Sequence, residues 1–544
     1  MRFFSFILAA AAALPAAALS PEDAEIVSRI DAAIGQTWND YEIEPADQVD
    51  DSVWCRRAYL DLIGRIPRLE ELRAFEVDRS DDKRQRLVQT LLHDARYTAE
   101  YAEHWATYWS NLLIGRTGGS DRRDLTNRDG MLKYLRDSMA RNKPYDKLVH
   151  ELVTATGTTK PGTDGFNGAV NFLVGKVNDE DATLATSSTS RIFLGQQVQC
   201  TQCHDHPFNQ WKQQTFWEFN SFFRQARGLR RFNGNQMDID HAELIDQDFA
   251  GQAGDPENAV IFYARRNGRT EAAAPRFIDG REVSASGFIE DSNRREALAA
   301  FMLESEFLDR MIVNRMWSTL LGYGFTRPVD DLGPHNPPSH PRLLEQLGED
   351  FRASGYDLKR LLTWITASRS YGLDAELSSK NEVDDPTLGE TPKFSRFYLR
   401  QMSAEQLYAS MLVVGGDPGT GSCEDRERQR RQWLSRFVSA FGTDEGDEST
   451  SFNGSIPQAL MMFNGDLTTQ ALDESPRGTL ASIVRSEKST KGRVNRMFRI
   501  ALSRKPTAAE MQVAAAIHRR YGEERMLSDM WWAVLNSNEF IMQH

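Results

Sequence analysis

Apolar residues at helical spacing run through most of this chain, and they restrict its fold more than any other feature. Ile26, Ile30 and Ile34 lie one turn apart, and a longer apolar stripe occupies residues 82–113. Helical patterns resume at Asn293 and continue to the C terminus. Such spacing places the apolar side chains on one face of each helix. The sequence therefore predicts a mainly α protein.

Residues 231–288 interrupt the helical pattern. Glycine, asparagine and aspartate are frequent there, and residues 259–264 and 275–278 have the composition of short strands on either side of an Arg266–Gly268 turn. A chain of 544 residues also normally builds more than one hydrophobic core. We therefore predict a linker with a small β-hairpin between two helical domains. The predicted domains are residues 21–230 and 289–544.

Parts of the chain resemble one another. Residues 109–113, WSNLL, recur as residues 317–321, WSTLL. A second similarity links residues 57–71 to residues 496–510, with arginine, proline and glutamate at corresponding positions. These similarities suggest that the helical domains are related by duplication. Chance agreement between helical patterns is the alternative.

Residues 1–20 have the pattern of a signal peptide. Arg2 precedes an apolar run over Phe3–Leu14, and the small residues Ala16–Ala18 follow. Cleavage is expected just after Ala18, which would place the mature protein in the periplasm or outside the cell. No later stretch reaches the roughly 18 uninterrupted apolar residues that identify a membrane span, so none is predicted after cleavage.

The formal net charge of −13 narrows the classes of partner. Proteins that bind nucleic acids or anionic membranes need basic surfaces, so no nucleic-acid partner is expected. The chain also has no phosphate-binding loop, no dinucleotide-binding glycine motif and no G-x-S-x-G motif. Nucleotide enzymes and hydrolases with a nucleophile elbow therefore have no support.

The main chemical signal is the stretch Val198–Trp211, VQCTQCHDHPFNQW. It contains two of the four cysteines and two of the ten histidines of the chain. Its candidate ligands are Cys200, Cys203, His204 and His206. Four cysteines in a chain of this length do not form a disulfide scaffold. The sequence leaves open whether the other two, Cys55 and Cys423, pair with each other.

Covalent haem is the first interpretation of this motif. C-x-x-C-H is the attachment signature of c-type haem, in which two cysteines form thioethers and the histidine becomes an axial iron ligand. Cys200 and Cys203 would be the attachment thiols, and His204 would be the axial ligand. The nearest candidates for the opposite ligand are Met237 and His241.

A bare metal ion is the second interpretation. Two thiolates and two imidazoles, from Cys200, Cys203, His204 and His206, suit tetrahedral zinc or another transition metal. A closed site would be structural, whereas an open position would permit metal-dependent hydrolysis. The Asp205 carboxylate could then orient an imidazole from outside the ligand shell.

A disulfide between Cys200 and Cys203 is the third interpretation. A catalytic C-x-x-C pair needs its attacking thiol at a helix N terminus, where the helix dipole favours the thiolate. We predict instead that a helix over residues 181–199 ends at Cys200. The bridge would then be structural and would not catalyse thiol exchange.

A second polar cluster lies in residues 328–340, PVDDLGPHNPPSH, where four prolines stiffen the loop. Its carboxylates and imidazoles could form an alternative metal site or an acid–base site. Hydrogen bonds that fix an irregular loop are the other explanation. The candidate residues are Asp330, Asp331, His335 and His340.

These motifs also carry a family resemblance. The stretch VQCTQCHDHPFNQW and the upstream YLDLIGRIP resemble the first region of the planctomycete-type secreted cytochrome-like proteins. The stretches NRMWSTLLGYGFTRPVDDLGPHNPPSHPRLLEQL and IPQALMMFN look like the second region of that family. The resemblance covers residues 24–228 and 289–544, and both regions are catalogued as domains of unknown function. It implies helical architecture and export, and it supplies no settled activity.

Together the motifs predict an exported c-type haem protein with an electron-transfer or redox role. A link to extracellular carbohydrate breakdown is a further expectation. One alternative is a non-haem metalloprotein with structural zinc or metal-dependent hydrolase activity, and the other is a non-catalytic helical binding scaffold. The sequence identifies neither a redox partner protein nor an extracellular substrate, and it leaves open whether the chain is an enzyme.

Overall fold

The computed structural model describes residues 19–119, 121, 123–178, 181–209, 211–234, 238–415 and 478–544. These residues are mostly helical, with a few short strands, which confirms the predicted mainly α class. Within these ranges, no helix combines the length and the apolarity needed to cross a bilayer. The signal peptide prediction concerns residues 1–20, of which residues 1–18 lie outside the described part of the chain.

The first half of the chain contributes a series of helices that begins at Pro21. The predicted start at Pro21 is confirmed, with Ser20 accepting a hydrogen bond from the Asp23 backbone amide as N-cap. The helices are α1 (Pro21–Asp40), α2 (Asp51–Ile63), α3 (Leu69–Val77), α4 (Lys83–His93), α5 (Thr98–Ile114), α6 (Arg128–Ala140), α7 (Tyr145–Thr154), α8 (Thr183–Leu194) and α9 (Gln213–Asn220).

Helices resume after Asn293, whose side chain accepts a hydrogen bond from the Glu296 amide at the start of α10. The helices of this half are α10 (Arg294–Glu304), α11 (Glu306–Leu321), α12 (Pro341–Ala353), α13 (Leu358–Ala367), α14 (Ala404–Gly415), α15 (Thr479–Ser486), α16 (Thr490–Leu502), α17 (Ala508–Tyr521), α18 (Glu523–Leu535) and α19 (Asn538–Ile541).

The strands form three small antiparallel sheets. The strands are β1 (Gly157–Thr158), β2 (Ala226–Phe232), β3 (Ile239–Asp246), β4 (Ile261–Ala264), β5 (Thr270–Ala273), β6 (Arg400–Gln401) and β7 (Met542–Gln543). They pair in the orders β1–β3–β2, β4–β5 and β6–β7. The sheet of β1, β2 and β3 was not predicted, because β2 grades from buried to exposed along its length instead of alternating.

The predicted hairpin exists, but its second strand was placed incorrectly. Strand β4 pairs with residues 270–273, and residues 275–278 lie beyond the pair. The turn closes through hydrogen bonds from the Arg265 amide to the Arg269 carbonyl and from the Gly268 amide to the Arg265 carbonyl, and Gly268 adopts a φ of 81° there. This left-handed residue lets the chain reverse tightly, so the second strand begins earlier than the composition indicated.

The apolar cores join the two helical regions. The largest core contains fully buried tryptophans of both halves, including Trp109 in α5 and Trp317 in α11. The second core is built from α14–α19, and Leu60, Ile66 and Leu69 from the first half pack into it. The side chains of one sequence region therefore complete the core of the other.

Buried arginines of α2 strengthen this connection. The Arg56 guanidinium donates to the carbonyls of Ala501, at 2.7 Å, and Phe540, at 2.9 Å. These carbonyls lie in the last turns of α16 and α19, where a helix leaves its carbonyls without intrahelical partners. Burial lowers the pKa of Arg56 to about 10, so the group remains charged at neutral pH. Arg56 thus fixes α2 to the ends of two distant helices.

The sequence similarity between residues 57–71 and 496–510 corresponds to a structural arrangement that occurs at both places, in which one arginine binds two glutamates. The Arg65 guanidinium binds Glu71 with two hydrogen bonds of 2.7 and 2.9 Å and binds Glu100 with two more. The backbone amide of Arg68, at the start of α3, also donates to Glu71. The guanidinium therefore joins the first turn of α3 to the first turn of α5.

The same set of bonds recurs near the C terminus. Arg504 binds Glu510 with two hydrogen bonds of 2.9 Å and binds Glu539 through the corresponding nitrogen atoms. The Thr507 amide donates to Glu510 at the start of α17, as the Arg68 amide donates to Glu71. The recurrence of the geometry favours an internal repeat over chance similarity in this pair of segments.

Candidate functional site

The C-x-x-C-H motif follows helix α8, which ends earlier than predicted. The helix stops at Leu194, and Gly195 takes a left-handed φ of 62°. A Cβ atom at Gly195 would lie 2.8 Å from both the Leu332 Cγ and the Met311 Sδ atoms. The predicted helix therefore exists, but its predicted end at residue 199 was wrong, because the chain turns at Gly195 to pass these side chains.

The two cysteines lie on a short 3₁₀ turn, Gln199–Gln202, that Cys203 closes. Side chains three residues apart point the same way in a 3₁₀ turn, so both thiols are on one face. Cys200 and Cys203 are exposed and free. The buried Thr201 anchors the turn by donating its hydroxyl to the Val198 carbonyl at 2.6 Å.

The β-hairpin supports this turn from beneath. The Gln213 side chain donates to the carbonyl of Gln202, at 3.1 Å, and to the carbonyl of Ala264 in β4, at 3.0 Å. The Trp217 indole also donates to the Gln202 carbonyl. A small core of Val198, Phe216, Trp217, Phe249, Ala259, Ile261, Tyr263 and Ala273 lies below. The residues predicted as a linker therefore form part of the site's foundation.

Helix α9, which begins at Gln213, also contributes to this foundation. Phe216 and Trp217 belong to the small core beneath the motif, whereas Phe219 and Phe222 belong to the main core. These aromatic side chains are buried as ordinary core.

The His204 imidazole is oriented by its own backbone neighbour. Its Nδ1 lies 2.7 Å from the Asp205 carbonyl oxygen, which can only accept, so Nδ1–H donates. The remaining lone pair is then on Nε2, and among the described residues nothing bonds to it. A histidine ligand in proteins commonly has this arrangement, with one ring nitrogen donating to a carbonyl and the other available to a metal.

The Asp205 carboxylate was expected to orient an imidazole, and it has other partners. Its carboxylate accepts a hydrogen bond of 3.0 Å from the Gln213 amide and pairs with Lys212 at 3.3 Å. The Gln213 amide, followed by smaller contributions that include Lys212, lowers the carboxyl pKa. The carbonyl of Asp205, and not its carboxylate, contacts the His204 ring.

His206 has the opposite pattern from His204. Its Nδ1 accepts backbone hydrogen bonds from Phe208, at 3.2 Å, and Asn209, at 3.0 Å, so the ring proton is on Nε2. Burial lowers its pKa, and the neighbouring His335 contributes in the same direction. His206 therefore holds the turn together as a neutral ring, and it would have to leave that turn to bind a metal through Nδ1.

The two predicted clusters meet at this point. The rings of His206 and His335 have centroids 5.3 Å apart, although the residues are 129 positions apart in sequence. The exposed Phe208 ring stacks on His335 with centroids 6.4 Å apart. His335 in turn contacts Asp331, with 2.9 Å between Nε2 and the carboxylate. The C-x-x-C-H loop and the proline-rich loop therefore form one surface.

The remaining residues of the proline-rich cluster lie elsewhere. The Asp330 carboxylate binds Arg191, at 3.1 Å, and Gln197, at 2.6 Å, which fixes the loop to the end of α8. His340 is buried, with its Nε2 2.9 Å from the Thr37 hydroxyl of α1, and burial lowers its pKa to about 4. The predicted set of four residues is thus divided between three locations.

The remaining candidate ligands from the sequence are Met237 and His241, and the remaining cysteines are Cys55 and Cys423. Across the described stretches, no three histidine, cysteine, aspartate or glutamate side chains converge in a way that could hold a metal ion. His241, in β3, bonds to Asp240 at 2.9 Å, and Met237 lies outside the described residues. Cys55 is buried and free, and its suggested partner Cys423 also lies outside the described residues.

Sequence reasoning missed the contact between the motif and His335. The exposure of the Phe208 ring, which often marks a contact surface, is visible only in the structure. Contact with His335 depends on tertiary packing, and no local pattern encodes it.

Comparison with protein families finds matches to two separate parts of the chain. Residues 29–228 match PSCyt2, a protein of unknown function (DUF1549), and residues 294–518 match PSD1, a protein of unknown function (DUF1553). The chain carries both regions. The cysteine motif lies in the PSCyt2 region and the Asp331–His335 pair lies in the PSD1 region, so the histidine contact joins the two. No curated protein and no solved structure matches the chain.

Proposed function

We propose that this chain is an exported protein that binds haem covalently through Cys200 and Cys203 and serves in electron transfer. His204 is the proposed axial ligand. The observation that carries the proposal is the hydrogen bond from His204 Nδ1 to the Asp205 carbonyl, beside two free thiols on the same turn. It leaves Nε2 with the lone pair that an iron ligand needs.

The chemistry of the donor set fits covalent haem. Thioether formation needs two free and accessible thiols, and Cys200 and Cys203 are both. Burial raises the pKa of the Cys200 thiol, so it is a poor thiolate on its own and suits thioether attachment better than thiol exchange. Bound haem would supply one-electron redox chemistry at this surface.

The neighbouring side chains suit an apolar and anionic group. Phe208 is 75% exposed and offers apolar aromatic surface beside the motif, although its ring stacks on His335. His206 presents Nε2–H as a donor, because its Nδ1 accepts from the backbone. The Asp331 carboxylate holds the His335 ring in one orientation. These residues orient a bound group without taking part in its attachment.

Expression with a haem-attachment system, followed by purification and a visible spectrum, tests the proposal. We expect one haem per chain that stays attached after denaturation. Cys200→Ser with Cys203→Ser should abolish attachment, whereas Cys55→Ala is the matched control that removes a thiol elsewhere and should retain it. Protein without a Soret band under these conditions would exclude covalent haem.

A bare metal ion is the second candidate, and the Asp331–His335 pair favours it. A carboxylate that binds one nitrogen of a histidine is a common support for a metal ligand, and here Asp331 leaves the His335 Nδ1 available. Elemental analysis of the same preparations distinguishes the candidates. Stoichiometric zinc that is lost in His335→Ala, without a Soret band, would support this candidate over haem.

A further inference from the structure

A cavity lies between the PSCyt2 and PSD1 regions, away from the Cys200 and Cys203 thiols. The cavity has a volume of about 950 Å³ and is bounded by α2, α5, α11 and α14. This volume is in the range of pockets that hold organic ligands. Its walls include residues of both the PSCyt2 and the PSD1 regions, among them Gly64, His104, Asn111, Arg315, Asp330 and Glu405.

The carboxylates of the cavity wall are largely neutralised by arginines. Glu405 pairs with Arg116 at 2.9 Å, and Glu100 pairs with Arg65 at 2.8 Å. Asp330 pairs with Arg191 at 3.1 Å. These three carboxylates are therefore already paired and do not need a further cation.

Arg315 differs from the other arginines of the wall because it is buried without a carboxylate partner. The residue is 8% exposed, and among the described residues its guanidinium makes one long contact of 3.5 Å, from Nη2 to the Ile192 carbonyl. Within the described part of the chain, no carboxylate lies within ion-pairing distance of it. A buried charge without a partner is unfavourable unless another group compensates for it. A guanidinium presents several donors in a plane that matches an oxyanion.

His104 adds a second polar group to the wall. It donates a hydrogen bond to the Asp61 backbone, and burial lowers its pKa to about 4. The ring is therefore neutral at physiological pH and keeps one nitrogen as an acceptor. A ligand that offers a hydroxyl donor as well as an anionic group would satisfy both His104 and Arg315.

We infer that this cavity binds a small organic molecule with an oxyanionic group, held by Arg315. Carboxylates and sulfate esters share the required chemistry. The volume exceeds what an inorganic anion alone would fill. The site does not depend on whether Cys200 and Cys203 carry haem, and it is a binding site shared by the two regions.

Calorimetric titration of the full chain tests this inference. The probes are glucuronate for a carboxylate, galactose 6-sulfate for a sulfate ester, inorganic sulfate for the bare anion, and glucose for an uncharged ligand. We expect millimolar or tighter binding of at least one of the two organic anions, weaker binding of inorganic sulfate and no binding of glucose. The organic anion that binds more tightly identifies the class of oxyanion.

Arg315→Met should weaken binding roughly tenfold or more, because a charge-assisted hydrogen bond is lost. Arg96→Met removes the same charge at an exposed position and should bind like the wild type. Arg315→Met should also unfold at an unchanged or higher temperature, since an unpaired buried charge is removed. A wild type that binds neither organic anion, or an Arg315→Met variant that binds like the wild type, would overturn the inference.

Discussion

Histidines two positions apart in the motif have opposite hydrogen-bonding states. His204 donates through Nδ1 to a carbonyl, whereas His206 accepts at Nδ1 from two backbone amides. The first arrangement frees a lone pair and the second occupies it. Residue type and spacing therefore do not determine which imidazole can be a ligand. The path of the backbone after Cys203 determines which imidazole has a nitrogen available for a metal.

At the same scale, His340 has a structural role that depends on pH. Its folded pKa is about 4, against an ordinary value of 6.5, because it is buried beside Thr37 and Phe394. Between these values the unfolded chain binds a proton that the folded chain does not. The free energy of unfolding should therefore fall as the pH falls below 6.5, by about 3 kcal/mol for this group near pH 4.

Urea unfolding between pH 7 and pH 4 measures this effect. His340→Gln removes the titrating group, so its stability should decline less steeply with acid than that of the wild type. His518→Gln, at an exposed position, is the control for the loss of a histidine. Parallel declines in the wild type and His340→Gln would contradict the assignment.

At the scale of elements, the repeated arginine–glutamate arrangement joins helix starts in two places. The two copies differ in burial, with the Arg65 side chain 5% exposed and the Arg504 side chain 23% exposed. Ion pairs lose strength as solvent screens them, and a partner left alone in a buried position is strongly unfavourable. The first copy should therefore contribute more to stability.

Arg65→Met is expected to lower the free energy of unfolding by about 3 kcal/mol, because Glu71 and Glu100 lose their buried shared partner and keep only the more exposed Arg68. Arg504→Met should lower it by about 1 to 2 kcal/mol, since solvent screens that copy more. Chemical denaturation of both variants measures the difference. Equal losses would show that burial does not distinguish the copies.

Element boundaries explain where sequence reasoning succeeded and failed. The start of α1 and the cap at Asn293 follow from local residues, so they were predictable. The end of α8 was misplaced, although Gly195 is a typical residue for a left-handed helix end. The meeting of His206 with His335 depends on how distant loops pack, so the sequence predicted two clusters and not their contact.

At the scale of the whole molecule, the PSCyt2 and PSD1 regions are interdependent. They share the main core, and Leu60, Ile66 and Leu69 fill part of the second core. Sequence periodicity predicted the helices, but it cannot show which helical faces pack together. The shared cores indicate that neither region buries its apolar surface alone.

A fragment of residues 19–290 provides the test of this interdependence. It should lack a cooperative unfolding transition and a near-ultraviolet circular dichroism spectrum of packed aromatic rings, because Trp109 and its neighbours lose the cover of α11 and α12. Co-expression with residues 291–544 should restore both signals. Cooperative unfolding of the isolated fragment would show that the regions fold independently.

The hydrogen bonds of Arg56 limit when the first half of the chain can complete its folding. Its partner carbonyls lie 445 and 484 positions later in the chain. During translation, α2 therefore leaves the ribosome long before the carbonyls that accept hydrogen bonds from its guanidinium have been made. Contacts of such long range slow folding and expose early segments to aggregation. The newly made first half must remain without its final packing until residues 501 and 540 have been synthesised, and we expect it to depend on chaperones during that interval.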